Sequence, residues 1–200
     1  MKAHTDVGQR KKAEALHKLQ KKLNLAFEVL DSDLRFAEEQ WAKDESSQFW
    51  RRTLVRCFCA SIEGILSLLK NVTPDIANYF EVALTPKDME VITERSMGKD
   101  GNPKKFFLPI RDSIKTTLKL YAKAHTIQVP VKYDVRGIDD LENTFELRHR
   151  LMHPKDLFGL QVSDQAIDAV IRSDKWFGDV LRFVLGKCVK QRPFPQSNTK

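Results

Sequence analysis

Apolar residues recur at spacings of three and four along most of this chain, and that period commits it to helices packed on one another. Leu16, Leu19, Leu23, Ala26, Leu30 and Leu34 form one such stripe. Val55, Phe58, Cys59, Ile62, Leu66 and Leu69 form a second. At about 3.6 residues per turn these positions share one helical face. Breakers are scarce, with eight glycines and eight prolines in 200 residues, so little interrupts the helices. The expected fold is all-α, an antiparallel bundle of five to seven helices. Residues 1–190 should form a single domain, and the polar tail 191–200, QRPFPQSNTK, should be disordered.

The pattern divides as follows. Residues 9–43 read as a long amphipathic helix, or two. Its opposite face carries Lys11, Lys12, Lys18 and Lys21, either a nucleic-acid arm or an ordinary solvated face. A second helix runs from about Ser46 to Leu69. Asn71-Val72-Thr73-Pro74 should end it and open another, because proline fits a first turn but not an interior. Thr85 and Pro86 give a further helix start, with Thr85 as cap and Pro86 in the first turn. Residues 97–103, MGKDGNP, read as a helix–helix connection. Its Gly98-Lys99 lacks the spacing and the preceding strand of a phosphate loop. A helix should follow over about 104–124, then an extended stretch over 127–136. The next helix should run from Asp139 to His153, since Pro154 disfavours helical geometry in the residue before it. A last helix should span about Asp164 to Lys187, with a possible break at Ser173-Asp174.

Charge narrows the partners. The formal net charge is +7 and the pI about 9.3. Such a balance suits a polyanion, nucleic acid before a membrane surface, and it also suits plain solubility. No run of about 18 apolar residues is present, so no membrane span is expected. The start of the chain lacks a signal-peptide core, which makes cytoplasm the default. Cys57, Cys59 and Cys188 are too few and too oddly numbered for a disulfide framework. Cys57 and Cys59 should be packing residues facing different ways. No Cys and His spacing suggests a metal site, and no cofactor motif is present.

The most informative segment is Arg148-His149-Arg150-Leu151-Met152-His153. On a helical wheel Leu141, Thr144, Phe145, Leu147, Leu151 and Met152 fall in one broad arc. Arg148 falls near the middle of that arc. His149 and His153, four apart, share its flank, and Arg150 points away. An arginine on an apolar face needs a carboxylate, a cleft or an interface, because burying its charge alone is costly. One reading is an internal Arg148–Asp174 pair, with both histidines merely complementing the helix dipole. The other is an anion site. There Arg148 binds phosphate through its planar fork and a histidine transfers protons. RNA cleavage needs only a base for the ribose 2′-hydroxyl, an acid for the leaving 5′-oxygen, and a cation for the phosphate.

The segment ELRHRLMHP resembles the signature of the HEPN superfamily, all-helical domains of many bacterial toxins and defence proteins. That signature is an arginine, four to six residues, then a histidine, commonly with a polar residue after the arginine. Here Arg148 and His153 are separated by four residues, and His149 takes the polar position. The resemblance implies a HEPN-like metal-independent endoribonuclease whose homodimer brings two motifs into one cleft. It also implies a possible small nucleotidyltransferase-type antitoxin as partner. Arg148 would hold the scissile phosphate, His153 would act as base or acid, and His149 would assist or position RNA. Members often add a charged residue from an earlier helix. Glu63 is the candidate here, with Arg52 and Arg56 on the same flank, although a surface ion-pair stripe would account for all three. Other members have lost catalysis. A non-catalytic helical module binding nucleic acid or protein is therefore the alternative.

Overall fold

The computed structural model describes residues 2–98, 100–128 and 135–190. The expected tail 191–200 and most of the expected extended stretch lie outside the described residues. Within them are six α-helices, one two-stranded hairpin and one short 3₁₀ turn. No helix is long and apolar enough to cross a membrane.

Helix α1 spans Lys2–Lys43 without a break. Helix α2 spans Gln48–Tyr79 and folds back along it. Phe36 meets Trp50, Leu30 lies against Gly64, and Leu19 lies beside Asn78. The ascending and descending numbers define an antiparallel hairpin. A Cβ on Gly64 would sit 2.9 Å from the Leu30 side chain, so glycine is what lets the two helices approach there.

Helix α2 is the centre of the molecule. Leu54, Val55, Phe58, Cys59, Ile62, Leu66 and Leu69 are all buried, and α1, α4 (Ile110–Ala124), α5 (Val135–Met152) and α6 (Asp164–Lys190) pack around it. It does not end at Asn71–Pro74 as its sequence suggested. Pro74 stands inside the helix, where a proline costs about 3 kcal/mol. Val72, Ile76 and Ala77 are buried on either side of it. Burying a branched aliphatic side chain contributes about 1.5–3 kcal/mol, so two of them offset the proline. Thr73, just before it, donates from Oγ1 to the Leu69 carbonyl at 2.7 Å.

Helix α3, Pro86–Thr93, starts on a reciprocal capping box between Thr85 and Asp88. The expected plain connection at 97–103 is instead a hairpin, β1 (Arg95–Met97) paired antiparallel with β2 (Pro103–Lys105). Gly101 turns it with φ +75°, a conformation that favours glycine. The hairpin delays α4, Ile110–Ala124, relative to the expected start near 104. Helix α5 spans Val135–Met152 and α6 spans Asp164–Lys190. These two are also antiparallel. Gly137 faces Trp176, Asp140 pairs with Arg172, and Leu147 and Arg150 stand opposite Ala166 and Ala169. Ser173 does not break α6, because its hydroxyl donates back to the Ala169 carbonyl at 2.6 Å.

Candidate functional site

The C-terminal end of α5 places its charged residues by helical geometry. Leu141, Thr144, Leu147 and Leu151 are buried and fix one face toward α2 and α6. Met152, expected on the same face, is 52% exposed. Arg148 sits at the edge of the buried face, with its side chain 36% exposed. Its Nη2 donates to Glu63 Oε2 at 3.2 Å. The earlier-helix carboxylate singled out in the sequence is therefore the residue that Arg148 touches.

The internal Arg148–Asp174 pair does not form. Antiparallel packing puts Asp174 level with residues 137–140, about 13 Å along α5 from Arg148. Asp174 instead faces α1. Burial first, then the charge of Asp31, pushes its carboxyl above the ordinary range, while Arg35 and Arg182 oppose the rise. Glu38 on α1 is raised as well, by burial and then by Asp174.

His149 and His153 are exposed. Their ring centroids lie 5.0 Å apart with a 56° tilt. One further helical bond, from the His153 N–H to the His149 carbonyl at 3.1 Å, holds the second imidazole over the first. Pro154 follows and ends the helix.

Arg52 and Arg56 do not join this cluster as free cations. Arg56 Nη2 donates to the Leu151 carbonyl at 3.3 Å, and Arg52 Nη1 to the Leu160 carbonyl at 3.2 Å. Sequence reasoning missed two neighbours doing the same work. Arg51 Nη1 donates to the Val162 carbonyl at 3.0 Å. The Gln48 amide makes two bonds to Val162, donating to its carbonyl at 3.1 Å and accepting from its N–H at 2.8 Å. A polar stripe at 48, 52 and 56 marks this flank of α2 in the sequence without naming its partners, and Arg51 lies off it.

Cys59 lies beneath the Arg148–Glu63 pair, its Sγ 3.8 Å from the Thr144 carbonyl. Burial pushes its thiol up to about 12, with Arg148 opposing and Glu63 adding to the rise. It is thus a neutral packing group and no nucleophile. Cys188 is buried and Cys57 half-buried. Glu63 also forms one edge of a cleft of about 440 Å³ that continues to Lys70, Glu94 and Phe107. Lys70 closes its far end with bonds to Glu94 at 2.8 Å and Ser113 at 3.1 Å. Among the described residues, no three His, Cys, Asp or Glu converge as a metal-binding set.

The site thus offers a partly exposed guanidinium on the Glu63 carboxylate and two neighbouring, mutually tilted imidazoles within the next turn. Such a set can hold an anion and pass protons. The chain matches no known protein family, no curated protein and no solved structure.

Proposed function

We propose that this chain is a HEPN-like, metal-independent endoribonuclease acting as a homodimer on RNA. The observation that supports it is the setting of Arg148. Its guanidinium stands at the surface on Glu63, beside two paired imidazoles, rather than locked inside the bundle. An exposed pair of this kind contributes about 1 kcal/mol or less. A phosphate can therefore take over the guanidinium at little cost.

In this reading Arg148 binds the scissile phosphate and neutralises charge as it becomes pentavalent. His153 takes or gives the proton, and His149 assists at the adjacent oxygen or positions RNA. One imidazole accepts from the ribose 2′-hydroxyl while an imidazolium donates to the leaving 5′-oxygen. Two copies of the motif facing one another would supply the enclosure that a single convex helix end lacks. A nucleotidyltransferase-type antitoxin is the partner that the resemblance suggests.

The test is cleavage of single-stranded RNA by the purified protein in excess chelator. Cleavage that disappears in His153→Ala supports the reading. An identical background from wild type and variant sinks it.

A second reading has its own support. Glu63 already neutralises Arg148, and Arg52 and Arg56 are engaged on backbone carbonyls. A binding module without catalysis fits those facts. It predicts RNA retained on purification and released by salt, with no cleavage.

A further inference from the structure

Between α5 and α6 the chain makes a short excursion whose backbone is held at many points. The Gly159 N–H donates to Asp156 Oδ1 at 2.8 Å. The Leu160 and Gln161 N–H groups close on the carbonyls of Leu157 and Phe158 at 3.1 and 3.0 Å. Arg52 grips the Leu160 carbonyl, while Gln48 and Arg51 hold Val162, whose side chain is buried. A segment anchored in this way could have turned its apolar residues inward. Yet Leu157 is 79% exposed and Phe158 86% exposed, the most exposed large apolar side chains among the described residues. Loops held on a rigid scaffold carry binding residues disproportionately.

The charge around this tip says what it would meet. The chain from 148 to 160 carries Arg148, Arg150 and Lys155 with His149 and His153, against one acid, Asp156. That carboxylate is turned onto the Gly159 N–H. The Arg150 stem reaches the Gly159 backbone, its Cγ 3.7 Å from where a Cβ would stand. Centres of protein–protein interfaces are depleted of charge, whereas Arg150 and Arg52 reach the backbone on either side of this tip and Lys155 precedes it. An aromatic face set among cations is the arrangement that binds single-stranded nucleic acid, with bases stacked on the ring and phosphates on the cations.

We propose that Phe158, with Leu157 beside it, is a stacking platform for one unpaired base of RNA whose phosphate lies on the Arg148–His153 helix end. The inference rests on the RNA reading above and adds a substrate class to it. The ring can take a base from an unpaired strand, while a duplex keeps its bases stacked on one another. Phe158 positions RNA and is not a catalytic residue.

The experiment measures binding rather than cleavage. A fluorescent single strand and the same strand in a duplex are titrated at low salt in chelator, using the His153→Ala protein as background. Phe158→Ala should weaken single-strand binding about 5- to 150-fold, the range of one base–aromatic stack. Duplex binding should change less than about twofold. Phe158→Trp should restore affinity, and Phe158→Leu should not. Because Phe158 is exposed, all variants should keep the wild-type circular dichroism. Unchanged single-strand binding in Phe158→Ala, equal loss on both RNAs, or full rescue by leucine would overturn the platform. The two proposals fail separately. Binding lost in Phe158→Ala by a protein that never cleaves leaves the platform and removes the ribonuclease. Cleavage and binding indifferent to Phe158 do the reverse. Wild-type protein that binds no RNA overturns both.

Discussion

The two ends of α5 handle charge in opposite ways. At the N-terminal end, Arg111 of α4 reaches both Asp139 and Glu142, and Arg172 of α6 grips Asp140 with two bonds at 2.7 and 3.1 Å. Two guanidinium groups meet three carboxylates there. The Arg111 guanidinium is pushed above its ordinary range by its bonds to Glu142 and then Asp139. At the C-terminal end, Arg148, His149, Arg150, His153 and Lys155 stand within eight residues. Among the described residues Glu63 is the one carboxylate in ion-pair contact with them. One end is a structural clasp between three helices. The other holds an excess of cations beside an exposed apolar tip. Arg148, Arg150 and Lys155, with Arg52 and Arg56 on the Leu160 and Leu151 carbonyls, stand at this end against Glu63 and Asp156, and a local excess of positive charge is what an anionic ligand can read.

Substitutions at the two ends should separate accordingly. The largest effect is expected at the excess end. Arg148→Ala or His153→Ala should cut chelator-resistant RNA cleavage about 10²- to 10⁴-fold, the usual contribution of a positioned acid, base or charge stabiliser, with the thermal midpoint nearly unchanged. Equal activity in both variants would erase the contrast. Arg111→Ala should do the opposite. It should lower the thermal midpoint and leave RNA binding per folded molecule as it was. A calorimetric scan beside a binding titration reads both quantities.

Glu63→Gln sharpens the comparison from the other side. Removing the carboxylate that Arg148 touches should free the guanidinium and tighten RNA binding up to about fivefold, because an exposed pair is worth about 1 kcal/mol or less. Weaker binding would mean that Glu63 contacts the ligand itself. The smallest effect concerns Asp174, the partner that Arg148 did not take. Its carboxyl is raised by burial and by Asp31, so the folded protein holds a proton that the unfolded chain releases. Stability at this site is therefore highest at low pH and falls as pH rises from the ordinary value of 3.8 through the raised one. Asp174→Asn should raise the urea midpoint slightly at pH 7, and the gain should vanish below about pH 4. A gain that persists at low pH would point to packing instead.

Much of this layout was legible in the sequence because it depends on local rules. The spacing of Leu16 through Leu34 announced α1, and Thr85-Pro86 announced the start of α3. What could not be read were outcomes decided between elements. Pro74 should break α2, yet burial of Val72 and Ile76 from outside the helix overrides it. Residues 97–103 looked like a bare loop because strands of three residues are too short to show alternation. At the site, the helical wheel placed Arg148 and the two histidines on α5, but a wheel carries no information about the neighbouring helix. Asp174 was the internal partner that the wheel suggested, and Glu63 only an added charged residue of the site, until the antiparallel register of α5 and α6 moved Asp174 out of reach and Glu63 took the contact. The roles of Arg52 and Arg56 were hidden for the same reason, since backbone carbonyls of a distant turn leave no mark in side-chain patterns.

The most direct test of the proposed chemistry is the identity of the ends it leaves. Wild-type protein, incubated with single-stranded RNA in excess chelator, should leave 5′-hydroxyl and 2′,3′-cyclic phosphate ends, with no product from His153→Ala. Absence of product, equal product from the variant, or 5′-phosphate ends showing attack by water would contradict a site in which Arg148 and His153 direct the 2′-hydroxyl against its own phosphate.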